Sequence, residues 1–154
     1  MNRRDVQKYA AALALAACTA AAWSAEKATG PEAEALVKKA VALIKSAGPE
    51  KAYEEISSGK AFKDRDLYVF VYDFSGKCLA HGANPKLVGK DLIGMKDPDG
   101  KPLVKLLIDV AKDKGHGWTG EVKFRNPTTD KIQTRINYIE RVGDTAVGSG
   151  IFMD

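Results

Sequence analysis

The chain has 154 residues, of which 45% are hydrophobic and 29% charged, a composition typical of one soluble globular domain and not of a disordered chain. The formal net charge is +4, but residues 3–8 alone contribute +2, since Arg3, Arg4 and Lys8 outnumber Asp5. The rest is close to neutral with mixed signs. This balance excludes nucleic acid as an expected partner.

Residues 1–25 have the pattern of an export signal peptide. A basic stretch at 1–9 precedes an apolar, alanine-rich run at 10–22 and small residues that suit cleavage near Ala25. The apolar run is too short for a good membrane span, which takes roughly 20 residues. We therefore predict a soluble periplasmic protein whose mature domain is residues 26–154.

Two short motifs refine this prediction. Arg3-Arg4 resembles the start of a twin-arginine export signal. The stretch from Leu15 to Cys18 resembles a lipobox, so the alternative is a lipoprotein anchored at Cys18. An ordinarily cleaved chain keeps only Cys78, which leaves no partner for an internal disulfide.

Residues 29–57 carry the pattern of two helices. Thr29 suits the N-cap of the first helix, and Gly48-Pro49 ends it. A second, short helix is expected at about 49–57. The apolar stripe of the first helix recurs at three- and four-residue spacing and comprises Ala33, Val37, Ala40, Val41, Ile44 and Ala47.

A β-hairpin is expected next. Its strands are a β-branched and aromatic run at 67–72 and a return strand at 78–81. Cys78 and His81 are three residues apart, so a regular strand would point them to opposite faces. We therefore expect Cys78 to be a buried packing residue, while His81 lies at the strand end beside the following loop.

The second half of the chain predicts one helix and three strands. After a segment rich in Gly and Pro, a helix is expected from Pro102 to Gly115, followed by strands at about 117–125, 131–142 and 145–152. The element order predicts an α+β fold in which a five-stranded antiparallel sheet carries the long helix on one face. A layer of loop and helix, residues 84–114, covers the other face, with a pocket between them.

Chemical motifs are scarce. After Cys78 and His81, only His116 remains as a soft or imidazole ligand, which is too few for a zinc site, and no nucleotide, haem or hydrolase motif is present. We expect no cofactor and no enzymatic activity. The glycines of the last strand indicate close backbone approach. Arg135 is expected in mid-strand. It either points to solvent or pairs with a carboxylate, or it binds an anion in the pocket.

An ordered series of short motifs resembles the bacterial single Cache domain, a relative of the PAS fold, over residues 31–154. The series comprises Asp73-x-x-Gly76, Leu79-Ala80-His81, Asn84-Pro85, Leu87-x-Gly89-Lys90-Asp91, the segment 97–100, Gly115-x-Gly117-Trp118, Asn126-Pro127 and the stretch 135–152. This resemblance implies a long N-terminal helix, a central antiparallel sheet and a pocket that binds a small ligand such as a carboxylate. It implies binding and not catalysis.

The resemblance also implies a set of pocket residues. The set comprises His81, Trp118, Arg135 and Tyr138, with Phe124 and Tyr72 added from the neighbouring strands. The family often has Lys where Arg135 stands, so the cation is kept. Arg135 would hold a small organic anion, while Tyr138 and His81 would donate hydrogen bonds and Trp118 would form a wall.

Partners follow from the same resemblance. Most such domains belong to chemoreceptors or histidine kinases, so we expect this chain to signal or deliver its ligand through a separate membrane protein of that kind, with a homodimer as one expected assembly. The alternative is a subunit that binds no ligand and serves only as an interaction module in a periplasmic or membrane complex.

Overall fold

Two helices pack on one side of the fold. A computed structural model describes residues 27–153, so the predicted export signal and Cys18 lie outside the described residues. Helix α1 spans Gly30–Ala47 and α2 spans Pro49–Ser58. Thr29 caps α1, because its backbone N–H and its hydroxyl both donate to Glu32 Oε2, at 2.7 and 2.9 Å. Within the described part of the chain, no helix is both long and apolar enough to cross a membrane.

In the part of the chain that the structure describes, seven strands form one antiparallel sheet. Their bounds are β1 Lys63–Asp64, β2 Leu67–Asp73, β3 Cys78–His81, β4 His116–Trp118, β5 Val122–Arg125, β6 Ile132–Val142 and β7 Thr145–Phe152. Strands β2, β7 and β6 lie side by side; β1 and β3 share the outer edge of β2, and β4 and β5 share the outer edge of β6. The sheet is therefore five strands wide, as predicted, and each edge position is divided between two short strands.

The edge strand β3 contains a β-bulge. Three steps along β3, from His81 to Cys78, match only two steps along β2, from Phe70 to Tyr72, so β3 holds one extra residue. An extra residue shifts the alternation of side chains by one position. Cys78 and His81 therefore lie on the same face of the sheet, and the prediction that they point to opposite faces is wrong.

The opposite edge has the same kind of irregularity. Trp118 of β4 pairs with Tyr138, whereas Val122 of β5 pairs with Arg135, so four steps along the edge match three along β6. The single strand predicted at 117–125 is consequently two strands. β6 itself is continuous, so Arg135 and Tyr138 point to opposite faces of the sheet.

The two faces of the sheet carry separate cores. Helices α1 and α2 cover one face, with Val37, Ala40, Val41, Ile44, Ala52, Ile56, Phe62, Val69, Val71, Ala80, Tyr138 and Val147 as its buried cluster. Helix α3, Leu103–Lys114, covers the other face, with Tyr68, Phe70, Tyr72, Cys78, Val104, Leu107, Ile108, Ala111, Ile139 and Ala146. This is the α+β arrangement predicted, with the pocket on the α3 face.

Candidate functional site

Arg135 is a buried cation that has no counter-ion among residues 27–153. It lies near the start of β6 and is 3% exposed. Its Nη1 donates a hydrogen bond to the Tyr68 hydroxyl, while its Nε and Nη2 have no hydrogen-bond partner among residues 27–153. No acidic side chain in that range forms a salt bridge with it. Since burying an unpaired charge is costly, this position calls for a specific explanation.

Aromatic rings surround the guanidinium group. The Arg135 Cζ atom lies 4.6 Å from the ring centre of Tyr68, 5.1 Å from that of Phe152, 5.3 Å from that of Phe124 and 5.7 Å from that of Phe70. Each ring face attracts a cation through its quadrupole. The four rings therefore hold the charge in place while Nε and Nη2 remain unpaired.

Glycine residues in β7 make room for this arrangement. Gly150 pairs with Asn137 in the sheet, and a Cβ atom on Gly150 would lie 2.3 Å from both Arg135 Nε and Asn137 Oδ1. A Cβ on Gly148 would lie 2.6 Å from the Phe70 ring. These glycines are expected to mark a close approach to the backbone. In the structure, the side chains of Arg135, Asn137 and Phe70 approach the β7 backbone at these two positions.

A cavity of about 40 Å³ lies between this face of the sheet and α3. Its polar wall consists of Arg135, His81, Asn137, Tyr68 and Tyr72. Its apolar wall consists of Phe70, Met95, Leu103, Leu107, Val122 and Phe124 with Val104. Hydrogen-bond donors on one side and apolar surface on the other suit a small anion with a hydrocarbon part.

His81 contributes a neutral imidazole to the cavity. Its Nδ1 accepts a hydrogen bond from the Asn84 backbone N–H at 2.9 Å, so the ring proton lies on Nε2. Burial, together with the nearby charge of Arg135, lowers the pKa of His81 to about 4. At neutral pH His81 is therefore an uncharged donor, and the β3 bulge is what places it on this face.

A loop over the cavity is fastened by Asp97. Met95, two residues earlier, lines the cavity, and the Asp97 carboxylate accepts hydrogen bonds from the backbone N–H groups of Asp99, Lys101 and Lys123, at 2.8–3.0 Å. These hydrogen bonds hold the pKa of Asp97 below its ordinary value, and the one from Lys123 has the largest effect. Because Lys123 belongs to β5, the carboxylate joins the loop to the edge of the sheet.

Trp118 and Tyr138 lie on the other face of the sheet. Their rings are 5.4 Å apart and pack with the α1 core. Trp118 Nε1 donates to Glu34 of α1 at 3.2 Å, and the Tyr138 hydroxyl donates to Glu140 at 2.9 Å. Burial, with Glu140 beside it, raises the pKa of Tyr138 to about 12. Neither side chain lines the cavity.

The structure thus gathers four of the six residues expected in the pocket, namely His81, Arg135, Phe124 and Tyr72, and separates the other two from them. It adds three polar or aromatic residues to this group: Tyr68, Phe70 and Asn137. The sequence did carry a signal for these. Tyr68 and Phe70 alternate with Tyr72 on one strand face, and Asn137 is two residues from Arg135.

Cys78 belongs to the packing of the α3 face. Its side chain is fully buried, and burial raises the pKa of its thiol to about 11, far from a reactive thiolate. Among residues 27–153, no three His, Cys, Asp or Glu side chains come together as metal ligands.

This fold and site agree with a family assignment. The family model described as single Cache domain 2 matches residues 7–154, so the chain belongs to that family. Single Cache domains are extracytoplasmic sensor modules that bind ligands and are not catalytic.

Two curated relatives belong to bacterial signalling. The sensor histidine kinase MctS of Rhizobium johnstonii is 28% identical over 92 residues, which are 58% of this chain and 20% of that protein. The methyl-accepting chemotaxis protein McpP of Pseudomonas putida is 30% identical over 95 residues, which are 59% of this chain and 17% of that protein. The matched part is thus about a fifth of each relative's length.

Solved structures share the fold. A methyl-accepting chemotaxis protein from Vibrio parahaemolyticus superposes with a TM-score of 0.69 at 26% identity, covering 80% of this chain and 88% of that one. A Cache chemosensory domain studied for carboxylic acid recognition superposes with a TM-score of 0.64 at 22% identity, covering 79% and 86%. At that identity the second likeness shows the fold alone.

Proposed function

We propose that this protein senses a small organic carboxylate, which it binds in the cavity beside Arg135. The observation that carries the proposal is the buried guanidinium group, whose Nε and Nη2 have no partner among residues 27–153. These two nitrogens lie on one edge of the guanidinium plane, the edge that binds a carboxylate with two parallel hydrogen bonds. A bound carboxylate would supply the missing negative charge.

Other groups in the wall of the cavity also suit a carboxylate ligand. His81 offers Nε2–H and Asn137 offers its side-chain amide from the same wall of the cavity. Within residues 27–153, no Asp or Glu lines this cavity to repel an anion. The carboxylic acid recognition named for one structural relative is consistent with this choice.

A binding experiment tests the proposal. Calorimetric titration and thermal-shift measurements with acetate, propanoate and pyruvate should show saturable binding to the purified protein. Arg135→Ala should weaken that binding by at least about 30-fold, because truncating one partner of a buried charge pair costs roughly 2–5 kcal/mol. Arg141→Ala is the matched control, since Arg141 is exposed, paired with Asp144 and remote from the cavity. Equal losses in both variants, or no binding of any acid, would exclude the proposal.

The alternative function is an interaction subunit that needs no ligand. It is favoured by the four rings around Arg135, which stabilise the guanidinium charge even when the cavity holds no anion. Under this alternative, the protein would co-purify with a membrane partner and its unfolding midpoint would not respond to any carboxylate. The titration above therefore separates the two functions.

We infer that the sensed ligand is reported to a membrane signalling protein of the histidine kinase or chemoreceptor class, the classes of the two curated relatives. Crosslinking in intact cells, with and without acetate, tests this inference.

Export is inferred from residues 1–25. Mass spectrometry of the mature N-terminus should find cleavage near Ala25 for a released protein, or a lipid on Cys18 for an anchored one.

A further inference from the structure

A second, larger cavity adjoins the one beside Arg135. This outer groove measures about 290 Å³ and shares three wall residues with the inner cavity, namely Tyr68, His81 and Phe124. The inner cavity, at about 40 Å³, has room for only about three water-sized groups. A ligand larger than a two- or three-carbon acid would therefore extend past the shared wall into the outer groove.

The outer groove is mainly apolar. Ala83, Leu87 and Pro127 line it together with the Phe124 ring, while Asn84 adds an uncharged amide. Arg125 stands at its edge, but Nη1 of Arg125 already binds the side chain of Asp130 at 3.1 Å and its backbone carbonyl at 2.9 Å. The groove thus presents mostly hydrocarbon surface, its amide carries no charge, and the Arg125 guanidinium group is already paired with a carboxylate.

Phe124 is the member of the shared wall best placed to move. Tyr68 and His81 are buried, at 1% and 4% exposure, and each is held by a hydrogen bond, to Arg135 and to the Asn84 backbone. Phe124 is only half-buried and lies on the short edge strand β5. Rotation of its side chain would join the two cavities beside the guanidinium group.

We propose that the outer groove is a subsite for the apolar tail of a monocarboxylate whose head group binds Arg135. This rests on the carboxylate function proposed above and extends it to a ligand class: unbranched acids of about four to eight carbons, with one charged end. Dicarboxylates of the same length fit less well, because their second charge would lie on Ala83 and Leu87 and not beside a free cation.

The test is a chain-length series on the full chain and two variants. Calorimetry with acetate, butanoate, hexanoate and octanoate should show affinity rising about fourfold for each methylene that reaches the groove. Hexanedioate should bind more weakly than hexanoate. Ala83→Leu fills the groove, so it should leave acetate binding unchanged and abolish the rise with length. Val88→Leu, which adds bulk to an exposed residue outside the groove, is the matched control and should keep the rise.

The outcomes separate this proposal from the function on which it rests. If acetate binds and the affinity is flat or falls with chain length, the tail subsite is excluded while the carboxylate function stands. A rise that Ala83→Leu does not change would place the tail elsewhere and also exclude the subsite. Tighter binding of hexanedioate than of hexanoate would overturn the monocarboxylate class. If no acid of any length binds, the carboxylate function fails and the subsite fails with it.

Discussion

The two faces of the central sheet differ in what they bury. The α1 face buries an apolar cluster, and the polar tips of Trp118 and Tyr138 reach carboxylates near its rim. The α3 face buries a guanidinium group with unpaired donors, a neutral imidazole and a cavity. We therefore propose that one face of the sheet provides stability and that the other binds the ligand. Substitutions on the two faces should affect different measurements, and the following predictions test that division.

The largest expected effect is on the α1 face. Ile56→Ala, at a fully buried position of α2, should lower the free energy of unfolding by about 2–5 kcal/mol, because it removes buried methyl groups and leaves a cavity. Urea unfolding measures the loss. Carboxylate affinity, measured where the variant is folded, should be unchanged. A parallel fall in affinity would show that the two faces are not independent.

The next effect belongs to His81 and depends on pH. Its folded-state pKa of about 4 lies below the ordinary value of about 6.5, so the unfolded chain binds the proton first as the pH falls. His81 should therefore contribute a decrease in stability of about 3 kcal/mol between pH 6.5 and pH 4, and His81→Gln should remove that contribution. Urea unfolding across this range measures it, with His116→Gln as the exposed control. An unchanged slope in His81→Gln would contradict the prediction.

Gly150→Ala should damage the α3 face by adding a single methyl group. The new Cβ would lie 2.3 Å from Arg135 Nε, which forces the side chain to shift and costs about 1–3 kcal/mol. Carboxylate binding should be lost as well, although every ligand-contacting group is still present. Gly120→Ala is the control, since no atom lies within 4 Å of its added Cβ. Calorimetry showing normal binding in Gly150→Ala would contradict the assigned position of Arg135.

The smallest effect should come from Trp118→Phe. The change removes the hydrogen bond to Glu34, which is worth about 0.5–1.5 kcal/mol in stability. Because Trp118 lies on the α1 face, carboxylate affinity should not change. A loss of affinity above threefold in calorimetry would return Trp118 to the binding site and weaken the division between the faces.

Much of the fold could be predicted from the sequence because its signals are local. The spacing of apolar residues, the cap at Thr29 and the glycines that end helices give α1, α2 and α3 nearly to the residue. The α+β order and the five-strand width follow from the same signals. Arg135 could be singled out for a similar reason, since a charged residue in mid-strand conflicts with the pattern around it.

The faces of the edge strands could not be predicted in the same way. A bulge adds one residue without any change in composition, so alternation counted along 78–81 or 117–125 assigns the wrong face beyond it. His81 therefore lies on the α3 face together with Cys78, whereas strict alternation along β3 would place it on the opposite face. The separation of Tyr138 from Arg135 was visible in the parity of β6, which has no bulge between them.

The attachment of the loop at Asp97 has a consequence for how this domain can diversify. All three donors to the Asp97 carboxylate are backbone N–H groups, so the attachment depends on no side chain other than that of Asp97. Met95 and its neighbours can then be exchanged during evolution while the loop stays in register with β5. The loop that lines the cavity can therefore change its side chains while its backbone keeps its position. Related domains could acquire new ligands in this way without a new fold.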